Sequence, residues 1–169
     1  MVQPEGAEAS TEAFGVLVRS YVGVLDGDVR GLGLLRDLRT ALTDLYAAAI
    51  HVSPAPPRSG DGSIHLLEDS RRVEIEASLQ RRLPPEMYWS ALLPLTYKTV
   101  GNAGVKQLAE DLVEVCGWLA PGLRLLETAS PTSQLEDWWF GTWDVSWGIT
   151  SIRCISILHE VINDLENGA

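Results

Sequence analysis

Cysteine is scarce in this chain: 169 residues hold two thiols, Cys116 and Cys154. They form no Cys-x-x-Cys pair and neither has a histidine at metal-ligand spacing. That excludes a disulfide framework or zinc site built on cysteine and predicts buried, reduced thiols in a cytoplasmic protein. Histidine is scarce too, and His51, His65 and His159 fall on three separate segments. Cations are outnumbered, with 13 Lys and Arg against 23 Asp and Glu and a net charge of −10. Nucleic acid and anionic membrane surfaces both repel such a chain, so neither is an expected partner, whereas a basic protein suits it. No stretch approaches the ~18 consecutive apolar residues of a membrane span. The N-terminus lacks the basic-then-apolar pattern of a secretory signal. Nucleophile elbows, phosphate loops and dinucleotide fingerprints are missing; Gly31-Leu32-Gly33 has no preceding strand and no third glycine. No catalytic residue, cofactor or metal is therefore assigned.

Period-two alternation is absent, while apolar residues recur at helical spacing throughout, so the sequence predicts an all-α helical bundle. Its length suits one domain burying about 70% of the unfolded chain's surface. The organising stretch runs from Ser133 to Leu165 and carries four of the six tryptophans between Trp138 and Trp147. Ser133 with Glu136 reads as a capping box, so one long helix is expected from Gln134 onward. Trp139, Trp143, Trp147, Cys154, Leu158, Val161 and Leu165 form one stripe; Trp138, Val145, Ile149 and Ile152 form a second. Two stripes predict a central helix covered on both flanks. Between them, Asp137, Gly141, Asp144, Gly148 and Ser151 share a narrow polar seam. A crossing helix at the glycines is the simpler reading of that seam, and a shallow ligand groove the sharper one.

Upstream, residues 1–10 read as a flexible tail and 11–167 as one helical domain. Ser10 or Thr11 caps a first helix to about Leu25, with Phe14, Leu17, Val18, Tyr21, Val22 and Leu25 facing inward. A second helix spans about Leu32 to Ile50, buried along Leu34, Leu35, Leu38, Ala41, Leu42, Leu45, Tyr46 and Ala49. Residues 53–62, rich in proline and glycine, read as a mobile loop. An arginine-rich helix follows from Asp69 or Ser70, with Val73, Ala77 and Leu79 inward and Arg71, Arg72, Arg81 and Arg82 in water. Tyr88 and Trp89 are expected as a lid over one end of the bundle. The last pattern before the tryptophans runs from Asn102 through Leu119, acidic along Glu110, Asp111 and Glu114, with a kink or restart at Pro121.

The segments Trp138-Trp139-Phe140, Trp147-Gly148 and Leu158-His159, with Tyr88-Trp89 up to Pro94 and Leu108-Ala109-Glu110-Asp111-Leu112, resemble a bacterial domain-of-unknown-function family, number 5063. The resemblance covers about Phe14 to His159 and implies a small, helical, cytosolic bacterial protein. That family's pattern carries histidines beside its Trp-Gly pair. Ser146 and Thr150 stand at those places here, and neither replaces a histidine as a metal ligand.

The candidate binding residues are Asp137, Asp144, Trp143, Trp147 and His159. Asp137 and Asp144 lie about 10 Å apart along a continuous helix, at the far edge of acid–base pairing. Tryptophans flanked by carboxylates can grip a cationic ligand, although a tryptophan-rich core is the simpler account. His159 reads first as a structural histidine, with Glu110 or Asp111 as its conceivable acidic partner. The leading expectation is a protein that works by binding another protein, with neutralisation of a basic partner, as by an immunity protein or antitoxin, as one form of it. The alternative is a small-molecule or catalytic pocket between the tryptophan helix and the 103–119 helix.

Overall fold

The computed structural model describes residues 5–50, 67–84, 102–128, 132–141, 143 and 146–167. These residues form six helices and no strand: α1 (Glu5–Asp26), α2 (Gly31–Ala49), α3 (Asp69–Arg82), α4 (Asn102–Glu127), α5 (Thr132–Trp139) and α6 (Trp147–Asn167). The fold is an all-α bundle. Four long helices make its frame, each packed on two others in the circuit α1–α2–α6–α4, while α3 and α5 brace α4 from outside. Helix α6 thus has neighbours on both flanks. Residues 53–62 and the Tyr88–Trp89 segment lie outside the described residues.

Apolar spacing explains most of the core. Phe14, Val18, Tyr21 and Leu25 recur along one face of α1 and are buried against the equally regular Leu34, Leu35, Leu38, Leu42 and Leu45 of α2. Helix α1 starts at Glu5, ahead of the Ser10 or Thr11 cap expected from the sequence. Glu5, Ala7, Glu8 and Ala9 are good helix formers, and carboxylates suit a helix N-terminus, so α1 reaches into the stretch read as a tail. Thr11 is instead a buried helical residue whose hydroxyl donates to Glu136 Oε1 at 3.4 Å.

Helix α3 buries Leu79 as expected, but the rest of its inward face differs. Val73 is 64% exposed, while Ile75, Leu79 and Arg82 are buried, a clean i, i+4, i+7 set. Arg82 leaves water because α1 ends there. Its guanidinium donates to the carbonyls of Val24 and Leu25, which have no partner within their own helix. Arg71 meanwhile ties α3 to the same corner through Asp26 at 2.6 Å.

Helix α4 is neither stopped nor restarted at Pro121. Proline removes one backbone donor and crowds the preceding turn. The carbonyls of Trp118 and Leu119, in that turn, receive the indole N–H groups of Trp138 at 2.7 Å and Trp139 at 3.0 Å. The site beside the proline has to be glycine: a Cβ on Gly122 would lie 2.1 Å from Trp139 Nε1. Pro121-Gly122 therefore forms a notch in α4 that seats the Trp139 ring.

The tryptophan segment is two helices rather than one. Backbone bonds from Phe140 to Glu136 and from Gly141 to Asp137 finish α5, and Gly148 N–H reaches back to Trp143 O at 3.1 Å to begin α6. Both seam glycines belong to this break. A Cβ on Gly141 would meet Asp137 O at 2.2 Å, and one on Gly148 would meet Trp143 O at 2.6 Å. The break lets each indole find its own socket, which one straight stripe would deny. Trp139 and Trp147 are fully buried and both stack on Phe14, while Trp143 turns outward onto Tyr46.

Candidate functional site

Of the two expected stripes, only the first is largely covered. Cys154, Leu158 and Val161 are buried with Trp139 and Trp147, whereas Leu165 is 41% exposed. The second stripe is covered only in part: Trp138 is half-buried against Trp118, whereas Ile149 is 59% exposed and Ile152 49%. Val145 lies outside the described residues. The other buried positions of α6 include Thr150, Ser151, Ile157 and Ile162.

The uncovered Ile152 marks a groove. Helices α2 and α6 run antiparallel, joined near one end by the ion pair of Arg36 with Glu166 at 2.7 Å. Further along, Thr43, Tyr46, Ala47 and Ile50 of α2 and Ile152, Ile155, Ser156 and His159 of α6 line a groove of about 440 Å³. Ligand sites commonly fall between about 300 and 1,000 Å³. Ile50, at the end of α2, is itself 54% exposed, so the groove opens onto an apolar lip. Its lining holds no carboxylate, lysine or arginine. The lining's polar groups are the Thr43 hydroxyl, which donates to Arg39 O at 2.7 Å, the Tyr46 phenol, Ser156 and His159.

The predicted site residues divide around this groove. His159 lines it, exposed, with Asn163 Nδ2 at 3.2 Å from its Nε2. Trp143 stands immediately behind it, with its ring 4.6 Å from Tyr46 and 5.0 Å from Trp147. Trp147 is a core residue whose indole donates to Trp139 O at 2.7 Å. Asp137, half-buried at the end of α5, is not among the groove residues, and Asp144 lies outside the described residues. The break after Trp139 also dissolves the polar seam as a continuous helix face.

Nor does His159 find an acidic partner on α4. Asp111 is buried and accepts from Arg153 twice, Nε to Oδ2 at 2.9 Å and Nη2 to Oδ1 at 2.7 Å, with Gln107 Nε2 at 3.1 Å. That bidentate pair and the two tryptophan–carbonyl bonds occupy the α4 side of the tryptophan segment, where the sequence suggested a pocket. Both thiols are buried and unpaired with each other. Burial foremost, with the Asp26 charge adding, pushes Cys116 up to about 12, and burial pushes Cys154 up as well. Neither is ready to act as a nucleophile near neutral pH. Among the described residues no three His, Cys, Asp or Glu side chains gather as metal ligands, and no helix is long and apolar enough to cross a membrane.

Sequence reasoning missed Ile155 and Ser156 of α6, gave Ile152 only as part of a stripe, and missed Thr43, Tyr46, Ala47 and Ile50 of α2. The signal for the α2 residues was the apolar run continuing to the very end of α2, which marks a helix face and says nothing of what stands opposite. Comparison with known proteins adds the fold alone. No family model and no curated protein matches the chain. The crystal structure of protein BF1032 from Bacteroides fragilis is similar to it, with a TM-score of 0.68 at 12% identity, covering 90% of this chain and 95% of that one.

Proposed function

We propose that this protein acts by binding another protein through the α2–α6 groove, as a binding module rather than an enzyme. One observation carries the reading: an apolar groove lined by Tyr46, Ala47, Ile50, Ile152 and Ile155 lies open between two frame helices. Apolar surface of that kind gains free energy when covered, at roughly 25 cal/mol per Å². Neutralisation of a basic partner, in the manner of an immunity protein or antitoxin, is the form of binding that the net charge of −10 favours. Residence in the cytoplasm is part of the proposal and draws on the two reduced, buried thiols. Membership of family 5063 is likewise proposed, on the aromatic motifs quoted above.

The test is photocrosslinking in the native host. A photoreactive side chain at position 152 should capture one defined protein. The same group at Val16, an exposed apolar position on α1, should capture none. Ile152→Glu should abolish the complex without lowering the thermal midpoint. Co-purification of a metabolite that Ile152→Glu removes would replace this reading with a small-molecule site.

A further inference from the structure

We propose that the groove takes an amphipathic helix that presents two apolar anchors one turn apart and carries cations on both flanks. The inference rests on the binding reading above and specifies the chemistry of the partner. Length comes first. The lining spans Thr43 to Ile50 on α2 and Ile152 to His159 on α6, seven residue steps on each. At 1.5 Å per residue that is about 10 Å, room for two helical turns. Side chains at i and i+4 of a partner helix stand about 6 Å apart, so two of them fit the floor and a third does not.

Charge then separates the possible occupants. An acyl chain with an anionic head needs a cation at the groove. Arg36 and Arg153 are engaged with Glu166 and Asp111. That leaves Arg39, one turn before Thr43, as the single arginine of α2 and α6 without an ionic partner among the described residues. The lips instead carry carboxylates. Asp44 adjoins Thr43 and precedes Ala47 by three residues; Glu160 adjoins His159 and follows Ser156 by four. Helical periodicity places each beside its lining residue on the outward side, one carboxylate per lip. Asp37 and Asp164 add charge of the same sign on the same two helices, and among the described residues none of the four has an ionic partner. Against these four carboxylates stands Arg39 alone, so the free charge around the groove is net acidic. A helix lying in the groove with lysines or arginines on both flanks meets a carboxylate on either side.

The experiment uses the intact protein, a hydrophobic dye and two synthetic helical peptides. Both peptides carry leucine at i and i+4; one has lysines on its flanks, the other glutamates at the same places. Because Tyr46 packs on Trp143, tryptophan emission reports occupancy. The lysine peptide should displace the dye at one site and bind roughly tenfold more tightly than the glutamate peptide, the sum of a few exposed ion pairs. This preference should shrink as salt is raised. The pair Asp44→Asn and Glu160→Gln should erase the preference while leaving apolar binding, and Ile152→Glu should remove both peptides and the dye. Equal binding of the two peptides overturns the proposal. So does displacement of the dye by decanoate but by neither peptide, or self-association that Ile152→Glu abolishes in sedimentation. If the dye binds and no peptide does, the helix is wrong and the groove reading stands; if the dye fails as well, the groove reading falls with it.

Discussion

At the scale of single residues, close contacts and buried protons decide what can change. Gly122→Ala sets a methyl against the Trp139 ring, 2.1 Å from its Nε1 in the present geometry. Overpacking of this kind costs about 1–3 kcal/mol, and urea unfolding of the variant should show it. Alkaline pH tests the buried protons. Burial, with the Cys116 and Cys154 thiols adding in the same direction, raises the Tyr21 phenol well above its ordinary value, and burial raises both thiols. In the unfolded chain thiols ionise near ~8.5 and the phenol near ~10. The folded chain then holds protons the unfolded chain has released. Stability is thus complete below about pH 8 and falls as pH rises, by about 1.4 kcal/mol per pH unit for each such group. A Cys116→Ala, Cys154→Ala variant should be less stable at pH 7 yet lose less between pH 8 and 11, as read from urea midpoints.

Among the elements, the joint between α4 and α6 is asymmetric. Asp111 is buried, whereas the Arg153 side chain is 49% exposed. Arg153→Met strands a buried carboxylate and should cost about 3 kcal/mol. Asp111→Asn leaves an arginine that can turn to water and a neutral amide that still hydrogen-bonds, so about 1 kcal/mol is expected. Thermal or urea unfolding of the two variants should give that order. The helices themselves were legible in the sequence, because α1, α2 and α4 bury regular i, i+3, i+4 sets. The places where legibility failed share a cause. Trp139, Trp143 and Trp147 are spaced by four and mimic one stripe, yet indoles that large need separate sockets, and the chain breaks after Trp139 to supply them. Val73 and Arg82 exchanged environments because α1 ends beside Arg82, a neighbour no local pattern contains. Of the groove, His159 was visible as a site residue and Ile152 as part of the second stripe, whereas Ile155 and Ser156 were not. The α2 half was not, because a groove exists only once two helices more than a hundred residues apart lie side by side.

For the whole molecule, charge and surface set the behaviour. A net charge of −10 repels itself in the compact state. Raising salt from low concentration to about 0.15 M screens that repulsion beyond about 8 Å. The thermal midpoint should rise by about 2–4 °C, the shift that roughly 1 kcal/mol produces in a chain of this size. Ile152→Glu, at an exposed position, should leave that midpoint within the change expected of a surface substitution, about 0.5 kcal/mol. Loss of dye binding in a variant that melts normally would then be assigned to the groove rather than to misfolding.

The seat of Trp139 on α4 works as a key in a keyway. The two indole donors match two consecutive carbonyls, and the one position without a side chain lies under the ring, so α5 fits at a single height on α4. Slipping the register by even one residue would pull both donors off their acceptors and drive the ring into a neighbour that has a Cβ. Residues added between 128 and 131 should leave this alignment intact. One residue added between 119 and 122 should instead misalign the aromatic contacts that follow.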